Sequence, residues 1–437
     1  MTAADRCEGR ATRRGRSFRG RRTCHVSVCQ CLMLLIPVCH ACVGTETTDG
    51  SAEVSLRTVA KSTTYSAGDL AYSPTLKLVR AWASEPEVGP TSGETIAGIV
   101  VGEDRRIYVL DGADNVVHVF DPTGQHVGTI GGAGQGPGEM RGSIGLAIAG
   151  DTLLVLDQMD RTLERFTTDG RSVGSSRGIV HDSLFKGIEH FVQTTAGLAL
   201  TQRRGSIRVQ DTVMIRFVDL TSGVAGPFVV VLPRPRNYVT GRSRLSRPLF
   251  AAMPNAVASP TGQIYSTTGE QFLIEVVSPT GERIERIDAD IPREPVSADD
   301  VRRVLGRRRR ANPDNDYDAL PRSEFHPTLG RILVDPAGRL LIERLDLVEY
   351  TAEGELPDSS AWLMIAPNRR IEGRLKIPRR FVPYVFVDCG VVGVELGNFD
   401  VPTIARYRIV RVNDRSSDAG AAVKVNGPRG CAIEGSS

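Results

Sequence analysis

The sequence has few of the residues from which most catalytic and metal sites are built. Aromatic residues make up 5% of the 437 residues, and there are seven histidines and eight cysteines. The histidines show no spacing of the His-x-x-x-His kind. Local motifs therefore assign no catalytic, cofactor-binding or metal-ligating residue.

Long hydrophobic runs are also scarce. One segment near the N-terminus is apolar enough to approach a membrane span, which excludes a multi-span membrane protein. Hydrophobic residues still make up 41% of the chain and charged residues 24%, as in soluble globular proteins, so disorder throughout is excluded too. The 45 glycines and 25 prolines predict frequent turns.

The N-terminus has the layout of an export signal. Residues 1–42 carry an excess of six positive charges, which leaves the rest of the chain at a net −3. A basic stretch is followed by the apolar segment Val26–Val43, which Pro37 interrupts and which is short for a spanning helix. We interpret residues 1–44 as a cleaved export signal, with an uncleaved anchor as the alternative. This predicts a periplasmic or cell-surface protein.

The cysteines give two further predictions. Six of the eight lie in the leader, and Cys42 follows a small residue as in a bacterial lipobox, although Cys39 and His40 depart from that pattern. Cys42 is therefore a candidate for lipid attachment. The other two, Cys389 and Cys431, could form one disulfide in an exported protein; the alternative is a buried free Cys389 and an exposed Cys431 in a loose tail.

Beyond residue 75 the chain consists of short strand-like runs that repeat. Asp111 and Gly124, which end the first two runs of one unit, recur 46 residues later as Asp157 and Gly170. Each unit of this length holds four short strands, and a four-stranded antiparallel unit of this period is typical of a propeller blade. In the first unit the predicted strands are Ile96–Val101, Ile107–Leu110, Val116–Phe120 and His126–Ile130. The glycine landmark recurs at Gly223, Gly281 and Gly354, and Phe381–Val412 completes a sixth unit.

These units predict an all-β chain, a six-bladed β-propeller of four-stranded antiparallel blades. The lone strand Leu76–Trp82 would complete the last blade and close the ring, since an open ring leaves sheet edges exposed. The predicted organisation is a polar linker over 45–71, the propeller over 72–415 with a helical insertion at about 293–327, and a tail over 416–437. The long loops Arg234–Arg247 and Asp358–Arg370 are candidates for a binding rim.

The segment Gly131–Met140 resembles the Gly-rich linker of bacterial six-bladed β-propellers related to NHL-repeat proteins, and it directly follows the fourth strand of the first unit. The resemblance is strong over about 75–180 and fainter from there to 412. It implies the propeller fold and export. It implies little about activity, because propellers carry unrelated functions.

Two charged motifs have both a structural and a functional interpretation. The matched Asp-x-x-Asp turns at Asp111 and Asp157 are expected to cap their own turns; the alternative is a Ca²⁺ site. In the insertion, Ser297 and Asp300 form a capping box before an apolar stripe, so a helix is expected there. The cationic run that follows is a candidate patch for a phospholipid headgroup or acidic glycan, or else a solvated helix face: Arg307, Arg308, Arg309 and Arg310.

The sequence as a whole favours an exported, non-catalytic binding or scaffold protein of the bacterial cell envelope. The expected partner is a protein, peptide or glycan, not a nucleic acid, and the membrane would be contacted only through the N-terminal segment. The alternative is a secreted hydrolase similar to propeller lactonases, with a divalent metal in the central channel. Ca²⁺ or another divalent ion is expected as a cofactor only under that alternative.

Overall fold

The computed structural model describes residues 61–85, 89–90, 92–177, 188–204, 212–222, 224–240, 244–347, 355–397 and 401–412. The predicted leader with Cys42 and the predicted tail with Cys431 lie outside these ranges. The chain divides into two compact units, Met1–Leu56 and Arg57–Ser437, and all the described ranges lie in the second. Within the described ranges, no helix is both long enough and apolar enough to cross a membrane.

The fold is a six-bladed propeller of four-stranded antiparallel sheets. It begins with β1 (Ser62–Ser66), α1 (Ala67–Ala71) and β2 (Leu76–Ala83). Blades one and two follow as β3 (Ile96–Val101), β4 (Ile107–Asp111), β5 (Val116–Phe120), β6 (His126–Gly131), β7 (Ser143–Ala149), β8 (Thr152–Asp157), β9 (Thr162–Thr167) and β10 (Ser172–Arg177). Blade three comprises β11 (Ile188–Thr194), β12 (Gly197–Arg204), β13 (Thr212–Val218) and β14 (Ala225–Pro233), and a small hairpin follows as β15 (Tyr238–Thr240) and β16 (Arg244–Ser246).

The remaining blades contain longer connections. Blade four comprises β17 (Asn255–Ala258), β18 (Ile264–Thr267), β19 (Leu273–Val277) and β20 (Arg283–Asp290), and the helix α2 (Ala298–Ala311) follows it. Blade five comprises β21 (Leu329–Val334), β22 (Leu340–Arg344), β23 (Ser359–Ile365) and β24 (Ile371–Pro378). Blade six comprises β25 (Phe381–Val387), β26 (Gly390–Leu396), β27 (Pro402–Arg411) and the N-terminal strand β2.

The ring is closed by β2, as predicted. It pairs antiparallel with β27, from Leu76 opposite Arg411 to Ala83 opposite Ala405. Leu76 is 2% exposed in the core between blades five and six. Closure gives both faces of each blade a neighbour, so the apolar side chains of every blade lie in interblade cores.

The segment before β2 is folded over part of the predicted polar linker. Strand β1 pairs in parallel with the outer strand β20 of blade four, and α1 follows it with a Ser66–Asp69 capping box. Tyr65 and Leu70, each 6% exposed, enter the core between blades four and five. Residues 62–71 of the predicted polar linker thus form β1 and α1 and contribute two buried side chains to this core.

The described connections between blades, and the described connections between the second and third strands of a blade, lie at one face of the disc, called here the loop face. The opposite face carries the turns between the third and fourth strands, where Gly124, Gly170 and Gly281 adopt φ of 92°, 98° and 86°. In blade five this position is Arg369, so the predicted landmark at Gly354, which lies outside the described residues, is wrong. The predicted loop Asp358–Arg370 is also wrong, because it contains β23.

Cys389 lies in the two-residue turn between β25 and β26, where it and Asp388 have φ of 52° and 50°. It is 5% exposed and takes part in a disulfide bond. Because Cys431 is not among the described residues, the predicted pairing of the two stays a prediction.

Candidate functional site

Two interblade insertions form a small separate structure on the loop face, called here the cap (residues 234–240, 244–254 and 291–328). Its own core contains four residues that are each at most 6% exposed: Leu249, Leu305, Tyr317 and Leu320. The two insertions are also joined by backbone hydrogen bonds, from Leu249 N to the Pro321 carbonyl (2.9 Å) and from Ser323 N to the Leu249 carbonyl (3.0 Å). The predicted rim loop Arg234–Arg247 and the predicted helical insertion are thus parts of one unit.

The cap helix α2 begins at the predicted capping box, where the Ser297 hydroxyl accepts a hydrogen bond from Asp300 N (3.1 Å). Its cationic end is engaged within the molecule. Arg307 forms an ion pair with Glu355 (2.8 Å), and Arg309 forms one with Asp318. The guanidinium of Arg308 lies over the Tyr317 ring (5.9 Å), and Arg310 also has a partner. Binding of an anionic partner by these four arginines stays a prediction.

Beneath the cap, two adjoining cavities of about 280 and 230 Å³ lie at the loop-face end of blade four. They share Arg293, whose guanidinium lies 4.2 Å from the centre of the Phe325 ring. The larger is lined by charged and polar groups that include Arg286, Asp288, Asp290 and Gln271. The smaller is lined in part by Glu270, Ser323, Glu324 and His326. Together these cavities are called the cap groove.

His326 is held in a fixed orientation at the smaller cavity. Its Nε2 lies 3.3 Å from Oδ2 of Asp300, its ring packs edge-on against Phe250 (4.9 Å), and its backbone N donates to the Glu294 carbonyl (2.9 Å). Burial alone would raise the pKa of the Asp300 carboxyl, but hydrogen bonds from Ser297 and His326 lower it below its usual value. Asp300 is thus a carboxylate that orients the imidazole.

The sequence missed this pair because His326 and Asp300 are 26 residues apart and share no local motif. Only the chain reversal of the cap brings them together. Among the described residues, no group hydrogen-bonds to Nδ1 of His326, and the residue lines the smaller cavity.

The inner strands contain a second recurring feature, a β-bulge in five of the six blades. The extra residues are Ala97, Ile144, Glu189, Gly330 with Arg331, and Tyr384. Each of these residues lies in the first half of its strand or at its middle, and inner strands begin at the loop face. A bulge bends its strand and re-aims the side chains next to it.

The Asp-x-x-Asp turns have the structural role that was expected. Oδ1 of Asp111 accepts from Ala113 N (2.8 Å), and Oδ1 of Asp157 accepts from Met159 N (2.8 Å) and Asp160 N (3.0 Å). Over the described ranges, no three His, Cys, Asp or Glu side chains form a group that could hold a metal ion.

Comparison with known proteins agrees with the fold. Residues 95–177, which span blades one and two, match a family model described as a 6-bladed beta-propeller. A search of curated proteins finds no match. The relation to NHL-repeat proteins that the Gly-rich linker implies is not shown by these matches and stays a prediction.

Several solved structures are similar over most of their length. A protein of Bacteroides fragilis described as a candidate exported protein is 13% identical, with a TM-score of 0.45, over 81% of this chain and 100% of its own. A DUF4221 family member from Bacteroides vulgatus is 11% identical (TM-score 0.44, 77% and 99% covered). Virginiamycin B lyase from Staphylococcus aureus is 13% identical (TM-score 0.36, 76% and 99% covered). Identities this low extend no activity to the present chain.

Proposed function

We propose that this protein is an exported, non-catalytic binding protein of the bacterial cell envelope that holds a small polar ligand in the cap groove. The observation that carries the proposal is the cap itself. The cap is not needed to close the ring, which β2 completes, yet residues of its two insertions line two adjoining cavities on the loop face. Inserted structure of this kind on a rigid scaffold is a usual location for binding residues.

The lining of the groove favours a ligand that both donates and accepts hydrogen bonds. Arg286 and Asp288 are paired (2.6 Å), which leaves Oδ1 of Asp288 buried and without a partner among the described residues. Arg293 and the carboxylates of Glu270 and Glu324 add charges of both signs. A glycan or a short peptide has this mixture of groups, in agreement with the partner classes that the sequence favours.

One observation favours the enzyme alternative in a form that uses no metal. His326 lines the smaller cavity and is oriented by Asp300 through Nε2, an arrangement that suits a general base. A hydrolase of this kind would remove a proton from water at Nδ1, while Arg293 would stabilise the oxyanion that forms on an ester or lactone carbonyl.

The two functions are separated by one experiment. The purified protein is mixed with a panel of bacterial cell-wall disaccharides, short peptides, esters and lactones, and the melting temperature and the integrity of each compound are measured. We expect a compound that raises the melting temperature, remains intact, and loses its effect in Arg293→Gln but not in Arg171→Gln, an exposed arginine on the opposite face. A panel without effect, or an effect equal in both variants, contradicts the proposal. Turnover that His326→Gln abolishes favours the hydrolase.

A further inference from the structure

Two histidines meet in the outer half of blade one. His118 belongs to β5, the third strand of the blade, and His126 is the first residue of the outer strand β6. Nδ1 of His118 and Nε2 of His126 are 3.3 Å apart, and the centres of the two rings are 5.4 Å apart. The residues are eight positions apart in the sequence, so the β5–β6 hairpin brings the two nitrogens together.

The distance between these nitrogens suits a metal ion. Imidazole nitrogens bind Zn²⁺ at about 2.0–2.1 Å, so two ligands of a tetrahedral ion are about 3.3–3.4 Å from each other. The observed 3.3 Å is the spacing of two adjacent ligands of one ion. In a neutral pair, the hydrogen between the rings needs only to move to the outer nitrogen of its own ring, so both inner nitrogens become donors to the metal without loss of a proton.

His118 is held in place by the packing of blade one. It is 9% exposed and lies opposite Val109, whose side chain belongs to the core between blades six and one. Its other ring nitrogen, Nε2, is buried and has no hydrogen-bond partner in the described part of the chain. A buried polar atom without a partner is uncommon and calls for a functional explanation.

Asp111 places a carboxylate on the same side of the sheet as His118. Val109 pairs with His118, and Asp111 follows two residues later on β4, so the side chains of Asp111 and His118 are diagonal neighbours on one face. Such neighbours are about 7–8 Å apart, which suits a bridge by one water molecule. Oδ2 of Asp111 is also buried and without a partner within the described ranges. A carboxylate behind the second nitrogen of an imidazole is the usual outer partner in metal sites, where it fixes the ring.

His126 opens the pair to solvent. Its ring is partly exposed, and the flanking Gln125 and Val127 are exposed. On its inner side the ring packs edge-on against the buried Phe120, with 5.2 Å between the ring centres. Among the residues that the structure describes, no third His, Cys, Asp or Glu completes a metal-binding group. Two imidazoles therefore leave the other positions of an ion to water or to the donor atoms of a ligand.

Both rings are in the form that binds metal. Burial lowers the pKa of His126. Burial also lowers the pKa of His118, and the neighbouring His126 lowers it further, although the charges of Asp111 and Asp114 oppose the shift. The imidazoles are therefore neutral at neutral pH, and a metal ion does not have to displace a proton from a charged ring.

We propose that His118 and His126 bind one divalent transition-metal ion of the class that prefers imidazole ligands, such as Zn²⁺ or Cu²⁺. Asp111 orients His118 and is not itself a ligand. The site shares no residue with the cap groove, so it does not depend on the function proposed above. It lies on the third and outer strands of its blade, and it is therefore distinct from a metal in the central channel.

The test is a titration of the ¹⁵N-histidine-labelled protein with Zn²⁺ at neutral pH, followed by NMR of the imidazole nitrogens. Because each histidine is observed separately, metal that binds elsewhere, for example to the cysteines of residues 1–42, does not enter the result. We expect Nδ1 of His118 and Nε2 of His126 to shift together with one saturable binding curve. His126→Gln should weaken the binding observed at His118 at least about tenfold, and Asp111→Asn should weaken it about tenfold.

His118→Gln assigns the signals but changes a buried side chain, so His126→Gln, at a partly exposed position, carries the conclusion. The melting temperature of each variant without metal checks that the fold is kept. The matched control is Gln125→Ala, which removes an exposed polar side chain next to His126 and should bind Zn²⁺ as the wild type does. A wild type in which neither nitrogen shifts, a shift confined to one of the two rings, or equal affinity in His126→Gln and the wild type overturns the proposal.

Discussion

Blades one and two are joined differently from blades four and five. In the first pair, the turn between the third and fourth strands of blade two contains Gly170, where a side chain would meet Ile130 on the outer strand of blade one, since a Cβ there would lie 3.4 Å from Cγ1 of Ile130. In the second pair, the same turn of blade five contains Arg369 at φ 67°, and its side chain reaches Glu285 on the outer strand of blade four. The first position has no side chain and faces an apolar one, whereas the second position has a side chain that forms an ion pair.

The ionic contact is buried and shared by several groups. Nε and Nη2 of Arg369 lie 3.0 and 2.8 Å from Oε2 of Glu285, and Lys61 Nζ lies 3.1 Å from Oε1. The Arg369 carbonyl accepts a hydrogen bond from the Tyr65 hydroxyl (2.6 Å), so the N-terminal strand β1 is joined to the same contact. The position in the turn between the third and fourth strands of a blade is therefore occupied either by glycine or by a residue whose side chain forms an ion pair.

Loss of the closing strand should have the largest effect. Chains that start at residue 57, 72 or 84 separate the contribution of β1 from that of β2. We expect the start at 84 to prevent stable folding, because blade six loses its outer strand and the buried Leu76. The start at 72 should only lower the melting temperature. Urea unfolding of the three chains tests this, and equal stability of the starts at 57 and 84 would refute the assignment of β2 as the closing strand.

Replacement of Arg369 by glycine, which other blades have at this position, should cause the next largest loss of stability. Although Arg369→Gly relieves a strained φ, it leaves Glu285 buried without its main partner, so we expect a loss of about 3–5 kcal/mol in the free energy of unfolding. The double variant Arg369→Gly with Glu285→Leu should recover part of this loss. Urea denaturation of the four proteins of the cycle measures the coupling, and an additive result contradicts the prediction.

The same pair predicts a pH dependence. Burial would raise the pKa of Glu285, but the hydrogen bonds and charges of Arg369 and Lys61 lower it below 4.5. A lowered carboxyl pKa contributes stability that is present above the unfolded-state value and is lost as the pH falls through the folded-state value. We therefore expect the stability difference between wild type and Glu285→Gln to shrink as the pH is lowered below about 4.5. A constant difference across that range would contradict it.

A smaller effect distinguishes the equivalent aspartates of blades one and two. Oδ2 of Asp157 accepts from Arg141 N (2.6 Å) in the interblade linker, whereas Oδ2 of Asp111 is buried without a partner in the described part of the chain. We expect Asp157→Ala to cost about 2–3 kcal/mol and Asp111→Ala about 1 kcal/mol. Thermal unfolding compares the two variants. A larger loss of stability for Asp111→Ala than for Asp157→Ala would contradict this prediction.

The cationic end of the cap helix should show the smallest effect. Replacing the four arginines of residues 307–310 by serine removes exposed ion pairs, such as that of Arg307 with Glu355. Each such pair contributes about 0–1 kcal/mol to stability. The control Leu305→Ala opens the cap core and should cost about 2–4 kcal/mol of cap stability. Hydrogen exchange of cap amides reports both, and a larger loss for the serine variant would place the arginines inside the packed structure.

The repeat made the architecture predictable. Strands β3 and β5 have the predicted bounds, and β4 and β6 are each one residue longer, because regular blades keep their apolar alternation and their glycine turns in phase. The prediction from sequence failed where a residue other than glycine occupies the turn between the third and fourth strands. Arg369 has no resemblance to the glycine it stands for, and β1 contains one buried residue, Tyr65, in a polar segment.

Residue patterns along the chain were enough to predict the six-bladed ring, its closure by β2 and the capping box of α2, since each depends on periodic or local signals. Which polar groups meet depends on the tertiary fold. His326 reaches Asp300 because the cap folds back on itself, and Arg369 reaches Glu285 because the turn of blade five lies against the outer strand of blade four. Such contacts join residues that are distant along the chain, and no local pattern of a single sequence encodes them.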